Sequence, residues 1–323
     1  MPITVYVYRN GETQVTDRID PKWVDPGSGV TLWVDVVRPT ADEGEKVLRQ
    51  TFQFHPLSIE DALSDIHYPK IESYDRYLYV ILHGIDFRVQ EHWFATLDVD
   101  FFLADHYLVT VHDGQSRSIQ KLKELCQQHA RILEEGPAAL MHRIIDSMVD
   151  NYEPELDELE REMDQLEEQA VIGVGNNLIR PILEVKRDLS ALRRVLIPQR
   201  DAIGRLARRE FPLISNEMAY RFRDVYDHLV RYSDEVTMFQ DRMTGVLEGY
   251  LSAISNRLNQ VMKVLTVVST ILLPMTVLTG LWGMNVMLPE FAGGPAAQFW
   301  WIVGVLGGLT VLMLAFFRAK HWI

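Results

Sequence analysis

Stepping by three and four from Asn259 gives Met262, Thr266, Ser269, Leu273, Thr276 and Gly280, with Leu265 beside Thr266. On a helix these positions share one face. The face mixes amide, hydroxyl, small and apolar groups and carries no charge. Two chemistries suit it. Each threonine or serine hydroxyl can bond back to its own helix and do nothing more. Alternatively, a row of uncharged oxygens can exchange hydrogen bonds with water, or with the water shell of an ion, along a wet path. A single residue fits the first reading, whereas the whole row, leading to Asn285, fits the second. One helix cannot enclose a path, so a lining role requires several copies around a central axis.

The element that must hold this row is apolar and long. No charged residue occurs from Val264 to Met284, and none from Phe291 to Phe317. About 20 helical residues cross ~30 Å of hydrocarbon, so each run predicts a membrane span. Pro274 lies within the first, where membrane helices tolerate it. Arg257 and Lys263 precede the first span, Arg318 and Lys320 follow the second, and the loop between has no Lys or Arg. The positive-inside rule then places both termini in the cytoplasm and the segment Gly283-Met284-Asn285 outside. Trp300 and Trp301 suit an interfacial belt, and Gly304 and Gly308 have the spacing of close helix packing. Glu290, in the same loop, is placed to concentrate cations near the mouth.

Upstream, residues 1–115 read as an α/β domain. ITVYVY, TLWVDVV, YLYVILHGIDF and YLVTVHD have strand composition. ADEGEKVLRQTF and HPLSIEDALSD read as helices, the latter with a proline near its start and acids placed to suit the dipole. Residues 116–262 turn helical. Between Asp150 and Gln169 there are ten acids and one base, with Val149, Tyr152, Leu156, Leu159, Met163, Leu166 and Ala170 forming a seam of threes and fours. A turn at 173–177 and a basic returning helix follow, electrostatically complementary to the acidic one. From Ala219 to Met284 the only proline is Pro274, which predicts one helix continuous from the polar part into the first span. The remaining boundaries are 263–284 for the first span, 285–298 for the outer loop, 299–317 for the second span and 318–323 for a basic tail. The expected fold is an α+β membrane protein with a long helical stalk.

Bulk properties remove several classes. The formal charge is −13, from 45 acids and 32 bases among 323 residues, which argues against nucleic-acid binding. Cys126 is the only cysteine, so no internal disulfide or thiolate zinc site forms. The first residues show no secretory signal pattern. There is no G-x-x-x-x-G-K-[ST] motif, and no nucleophile or metal-ligand constellation for a hydrolytic enzyme. A membrane-tethered coiled-coil scaffold is the competing class, against which the polar row and Asn285 stand.

NQVMKVLTVVSTILLPMTVLTGLWGMN followed by MLPE resembles the pore helix and loop of the CorA family of divalent-cation channels. RFRDVYDH at 221–228 resembles its regulatory region, and HPLSIEDALSDIHYPKIESYDRYLYVIL at 55–82 its cytoplasmic domain. The resemblance implies a homopentameric funnel in a cell membrane that carries Mg²⁺, with Co²⁺ or Ni²⁺ as further cargo. It implies that Gly283, Met284 and Asn285 form the outer selectivity ring. Asn259, Met262, Leu265, Leu273 and Thr276 then line the pore. Asp61 of one subunit and Asp224 of the next hold a regulatory metal, and Glu60 and Asp146 belong to a second nearby site. Leu273 stands where several relatives have Met. The tail RAKHWI is less basic than is common, and the loop FAGGPAAQFWW lacks charge, which keeps a Zn²⁺ transporter of the related zinc branch as the alternative. Against zinc, the ten histidines are scattered and none lies between Val264 and Phe317.

Overall fold

The computed structural model describes residues 3–64, 68–88, 93–129, 131–172, 177–284 and 294–322. Seven strands are β1 (Ile3–Arg9), β2 (Glu12–Thr16), β3 (Thr31–Val37), β4 (Lys70–Ser73), β5 (Leu78–Arg88), β6 (Trp93–Leu103) and β7 (Tyr107–His112). They form one sheet of order β2-β1-β3-β7-β6-β5-β4, in which only the β3–β7 pair is parallel. The four expected strands are β1, β3, β5 and β7. The sheet also contains β2, β4 and β6, whose mixed composition hides their period in the sequence.

Helices α1 (Ala41–Gly44) and α2 (Pro56–Leu63) flank a π-helical stretch, Glu45–Thr51. Val47, Leu48, Phe52, Phe54, Ile59 and Ala62 from this segment pack on Val34, Val36, Tyr79, Ile81 and Phe102 of the sheet. The opposite sheet face meets α4 (Pro137–Asp150), on which α3 (Arg117–Gln128) packs, with Lys123 of α3 reaching the sheet. There Trp33 donates to Thr110, and Thr110, His112 and Lys123 all converge on the fully buried Asp35. These partners, chiefly His112 and then Lys123, outweigh burial and hold the Asp35 carboxyl below its ordinary range. β3 is buried on both faces because it lies mid-sheet between two helical layers.

Two long helices follow, α5 (Tyr152–Ile172) and α6 (Ile179–Ala207). The seam residues Tyr152, Leu156, Leu159, Met163 and Leu166 are buried, as expected, and Val149 belongs to the end of α4. The expected turn at 173–177 lies, apart from Asn177, outside the described residues. Acids of α5 reach α7 (Asn216–Trp282): Arg242 binds Asp164 and Glu167, and Arg231 faces Glu153. On α6, Arg180 pairs with Glu184 and Arg200 with Asp201, while Arg193 donates to Gln240 of α7. Charges on the facing sides of α5 and α6 would need burial, whereas the α5 flank toward α7 stays wet.

α7 is one unbroken helix of 67 residues, as its lack of turn residues predicts. The last helix is α8 (Gly294–Ala319). Both carry a segment long and apolar enough to cross a membrane. The chain divides into two compact units, Met1–Leu247 and Glu248–Ile323.

Candidate cation path and carboxylate cluster

Within the second unit, α8 packs on one side of α7. Val267 is 7% exposed. Thr310 Oγ1 lies 3.9 Å from Met275 Sδ, and the Trp282 and Trp301 rings are 6.2 Å apart. At about 100° per residue, Val267, Ile271, Met275 and Trp282 share a face. Asn259, Met262, Thr266, Ser269, Leu273, Thr276 and Gly280 fall about half a turn away. Every one of them is exposed, as is Leu265, with Leu273 at 70%. The row thus occupies the α7 surface that α8 leaves uncovered. Thr266 Oγ1 donates to Met262 O at 2.7 Å and Thr276 Oγ1 to Leu272 O at 2.9 Å. With that proton committed, each hydroxyl presents oxygen lone pairs outward, ready to accept from water.

At the end of the row, Gly283 N–H donates to Thr279 O at 2.9 Å, closing the last helical turn. A side chain on Gly283 would press against that same carbonyl at 3.1 Å, so the tight ending suits glycine. Met284 is exposed. Asn285 and Glu290 lie outside the described residues. Gly304 and Gly308 face open space rather than α7, so their spacing does not serve the α7–α8 contact.

In the first unit, α2 starts at Pro56, capped by the His55 ring, whose Nδ1 accepts from Leu57 N–H at 3.2 Å. Ser58, Ile59 and Ala62 face inward, leaving Glu60 exposed and Asp61 half-buried. The acids therefore fall in the second turn of this eight-residue helix. Asp61 does not stand open. Lys70, the first residue of β4, lies 2.5 Å from Asp61 and 2.8 Å from Glu72, and Tyr74 donates to Glu72 at 2.9 Å. Burial pulls the Lys70 ammonium down, but these two carboxylates outweigh it and raise it overall. Beneath, Tyr79 donates to the buried Asp100 at 2.5 Å, and burial pushes that carboxyl up to about 7.

Asp146 lies mid-helix on α4, with His142 and Asp150 four residues to either side. α7 packs here, the Phe222 and His142 rings being 5.2 Å apart. Burial raises the Asp146 carboxyl, Asp150 and Asp224 add to the rise, and His142 and His228 oppose it. Asp224 is exposed. The structure thus sets Asp146 and Asp224 close enough to repel. Among the described residues, no group of three His, Cys, Asp or Glu side chains converges to hold a metal within one chain. Lys70, Asp100, Asp150 and His228 were missed in the sequence. Asp150 and His228 carried a readable i, i+4 relation to Asp146 and Asp224, while Lys70 and Asp100 are positioned only by strand pairing.

The sequence profile of a family described as CorA-like Mg²⁺ transporter protein matches residues 28–319. YfjQ of Bacillus subtilis is 31% identical over 312 residues, covering 96% of each chain. The cobalt/magnesium transport protein CorA of Thermotoga maritima is 29% identical over 301 residues, 92% of this chain and 84% of that one. The solved structure of the CorA magnesium transporter from Methanocaldococcus jannaschii matches with a TM-score of 0.84 at 23% identity, over 100% of this chain and 99% of that one. The ZntB cytoplasmic domain from Vibrio parahaemolyticus matches at 0.62 with 15% identity, over 78% of this chain and 98% of that one. Both structural likenesses concern the fold.

Proposed function

Because the chain belongs to the family of CorA-like Mg²⁺ transporter proteins, we propose that it is a homopentameric channel for hydrated Mg²⁺, with Co²⁺ and Ni²⁺ as further cargo. The observation that carries this reading is the uncharged α7 row, exposed on the side away from α8. Copies of α7 brought around an axis by that face enclose a path lined with hydroxyl, amide and apolar groups. Mg²⁺ keeps several of its waters when bound. Asn259, Thr266, Ser269 and Thr276 bind those waters without stripping them. A ring of Asn285 amides with Gly283 and Met284 at the outer mouth does likewise, where carboxylates would hold the ion too long. Glu290 raises the local cation concentration. With both termini cytoplasmic, a potential of 100 mV contributes roughly 2.3 kcal/mol per charge, and twice that for a divalent ion.

Gating belongs to the carboxylates. The single chain separates Glu60 and Asp61 on α2 from Asp146 and Asp224 on α4 and α7, and in the assembly Asp61 faces Asp224 of the next subunit. The donor set fits a divalent ion. Asp146 already senses the repulsion of Asp150 and Asp224, and Asp61 already attracts a cation. An oxygen-only set suits Mg²⁺. Two carboxylates ~4 Å apart repel by about 4 kcal/mol at an effective dielectric of 20. Shifting a gate from mostly shut to mostly open takes about 5.5 kcal/mol, so loss of metal from several interfaces suffices. Cytoplasmic Mg²⁺ therefore holds the channel closed.

Flux of Mg²⁺, Co²⁺, Ni²⁺ and Zn²⁺ into liposomes holding the full-length protein, with and without a pH gradient, tests the reading. Mg²⁺ entry independent of the pH gradient is expected. Entry of Zn²⁺ alone, or only with a proton gradient, would replace it with the zinc reading.

A further inference from the structure

The Asp61 carboxylate carries a cation of its own. Lys70 Nζ sits 2.5 Å from Asp61 Oδ2 and 2.8 Å from Glu72 Oε1, so one ammonium bridges α2 and β4. β4 fixes its origin: Lys70 pairs with Ile81 on β5, and Ile81 pairs with Asp100 on β6. The side chain therefore rises from the sheet face that α2 covers. The Lys70 side chain is about one third exposed, at 34%, and that of Asp61, at 27%, is also reachable from solvent. Four methylenes and free rotamers let the ammonium leave without disturbing the strand.

We propose that Lys70 is a tethered competitor for the metal at Asp61: its ammonium occupies the carboxylate when divalent ion is scarce and is displaced when the ion arrives. This rests on the reading above, in which Asp61 holds the regulatory ion. The tether gives the ammonium an effective concentration that no free monovalent ion matches. A divalent ion must displace it, so the metal concentration that closes the gate is set higher than the carboxylates alone would set it. Glu72, with Tyr74 holding its second oxygen, gives the displaced ammonium a carboxylate to keep. Leaving Asp61 therefore does not strand the charge.

The test uses full-length protein in detergent, a glutamyl endopeptidase, which cuts at none of Lys, Met, Gln or Arg, and MgCl₂ as the sole added divalent ion. The half-protective Mg²⁺ concentration is read for wild type, Lys70→Met, Lys70→Gln and Lys70→Arg, with melting in EDTA as a second measurement. Lys70→Met and Lys70→Gln are expected to need roughly ten-fold less Mg²⁺, the scale of one partly exposed charge-assisted bond. Lys70→Arg is expected to stay near wild type. A half-protective concentration that is unchanged or higher in Lys70→Met, with or without a lower melting temperature, makes Lys70 a structural strap and overturns the proposal. Asp224→Lys separates the two claims. If it abolishes protection while Lys70→Met causes no shift, only the competitor idea falls. If wild-type protection survives in Asp224→Lys, the regulatory reading falls and takes the competitor with it.

Discussion

Asp100 has almost no water around it: 5% of the residue is exposed, and its near partner is the Tyr79 hydroxyl. Burial is the main cause of its rise to about 7, with the Asp98 and Asp61 charges adding and Tyr79 and Lys70 opposing. The folded-state value lies above the ordinary one, so the protonated form is the one that folding favours. Its contribution is complete below about pH 4 and is lost as pH rises through 7. At 1.36 kcal/mol per unit, the ceiling on that loss is on the order of 4 kcal/mol. Asp100→Asn, which keeps the shape without the charge, is therefore expected to melt higher than wild type at pH 8 in EDTA and by a smaller margin at pH 5. Melting curves at the two pH values check this, and an equal difference at both would contradict it. Neither Asp100 nor Lys70 was legible in the sequence. Only the strand register sets Lys70, Ile81 and Asp100 in one row.

α7 was legible because nothing in its residues stops a helix: no glycine–proline cluster, no cap, and an uncharged run that lengthens it. The row from Asn259 to Gly280 was legible for the same reason, since periodicity alone sets which residues share a face. What periodicity does not set is which face a neighbour covers, and that is what α8 decides. Acids of α5 found Arg231 and Arg242 on α7, partners distant in sequence. Cysteine substitution tests the exposed row. Cys126 is a quiet background, because it is buried and burial pushes its thiol up to about 11. In reconstituted protein, Thr276→Cys is expected to react with a charged, membrane-impermeant thiol reagent at least ten-fold faster than Ile271→Cys, and the reaction to block flux. Equal rates, or labelling of Ile271→Cys alone, would turn the row toward lipid and refute a lining role.

At the scale of the molecule, a lone chain is an unfinished object. The second unit leaves Met262, Leu265, Leu272, Leu273, Trp300 and Phe316 exposed, far more apolar surface than a soluble protein shows. Under the proposed function, lipid covers part of it and copies of the same chain cover the rest. In the first unit, no group of three His, Cys, Asp or Glu side chains among the described residues forms a metal site within one chain. In the ring of subunits proposed above, α7 helices surround a wet path and carboxylates of neighbouring chains meet at the boundaries between them. The most direct test of that path is Mg²⁺-indicator fluorescence in liposomes held inside-negative, comparing wild type with Asn285→Ala. The account predicts potential-driven Mg²⁺ entry in wild type and a loss of at least ten-fold in Asn285→Ala with assembly intact. Undiminished entry in Asn285→Ala, or none in wild type from Mg²⁺-free buffer on the cytoplasmic side, would contradict it.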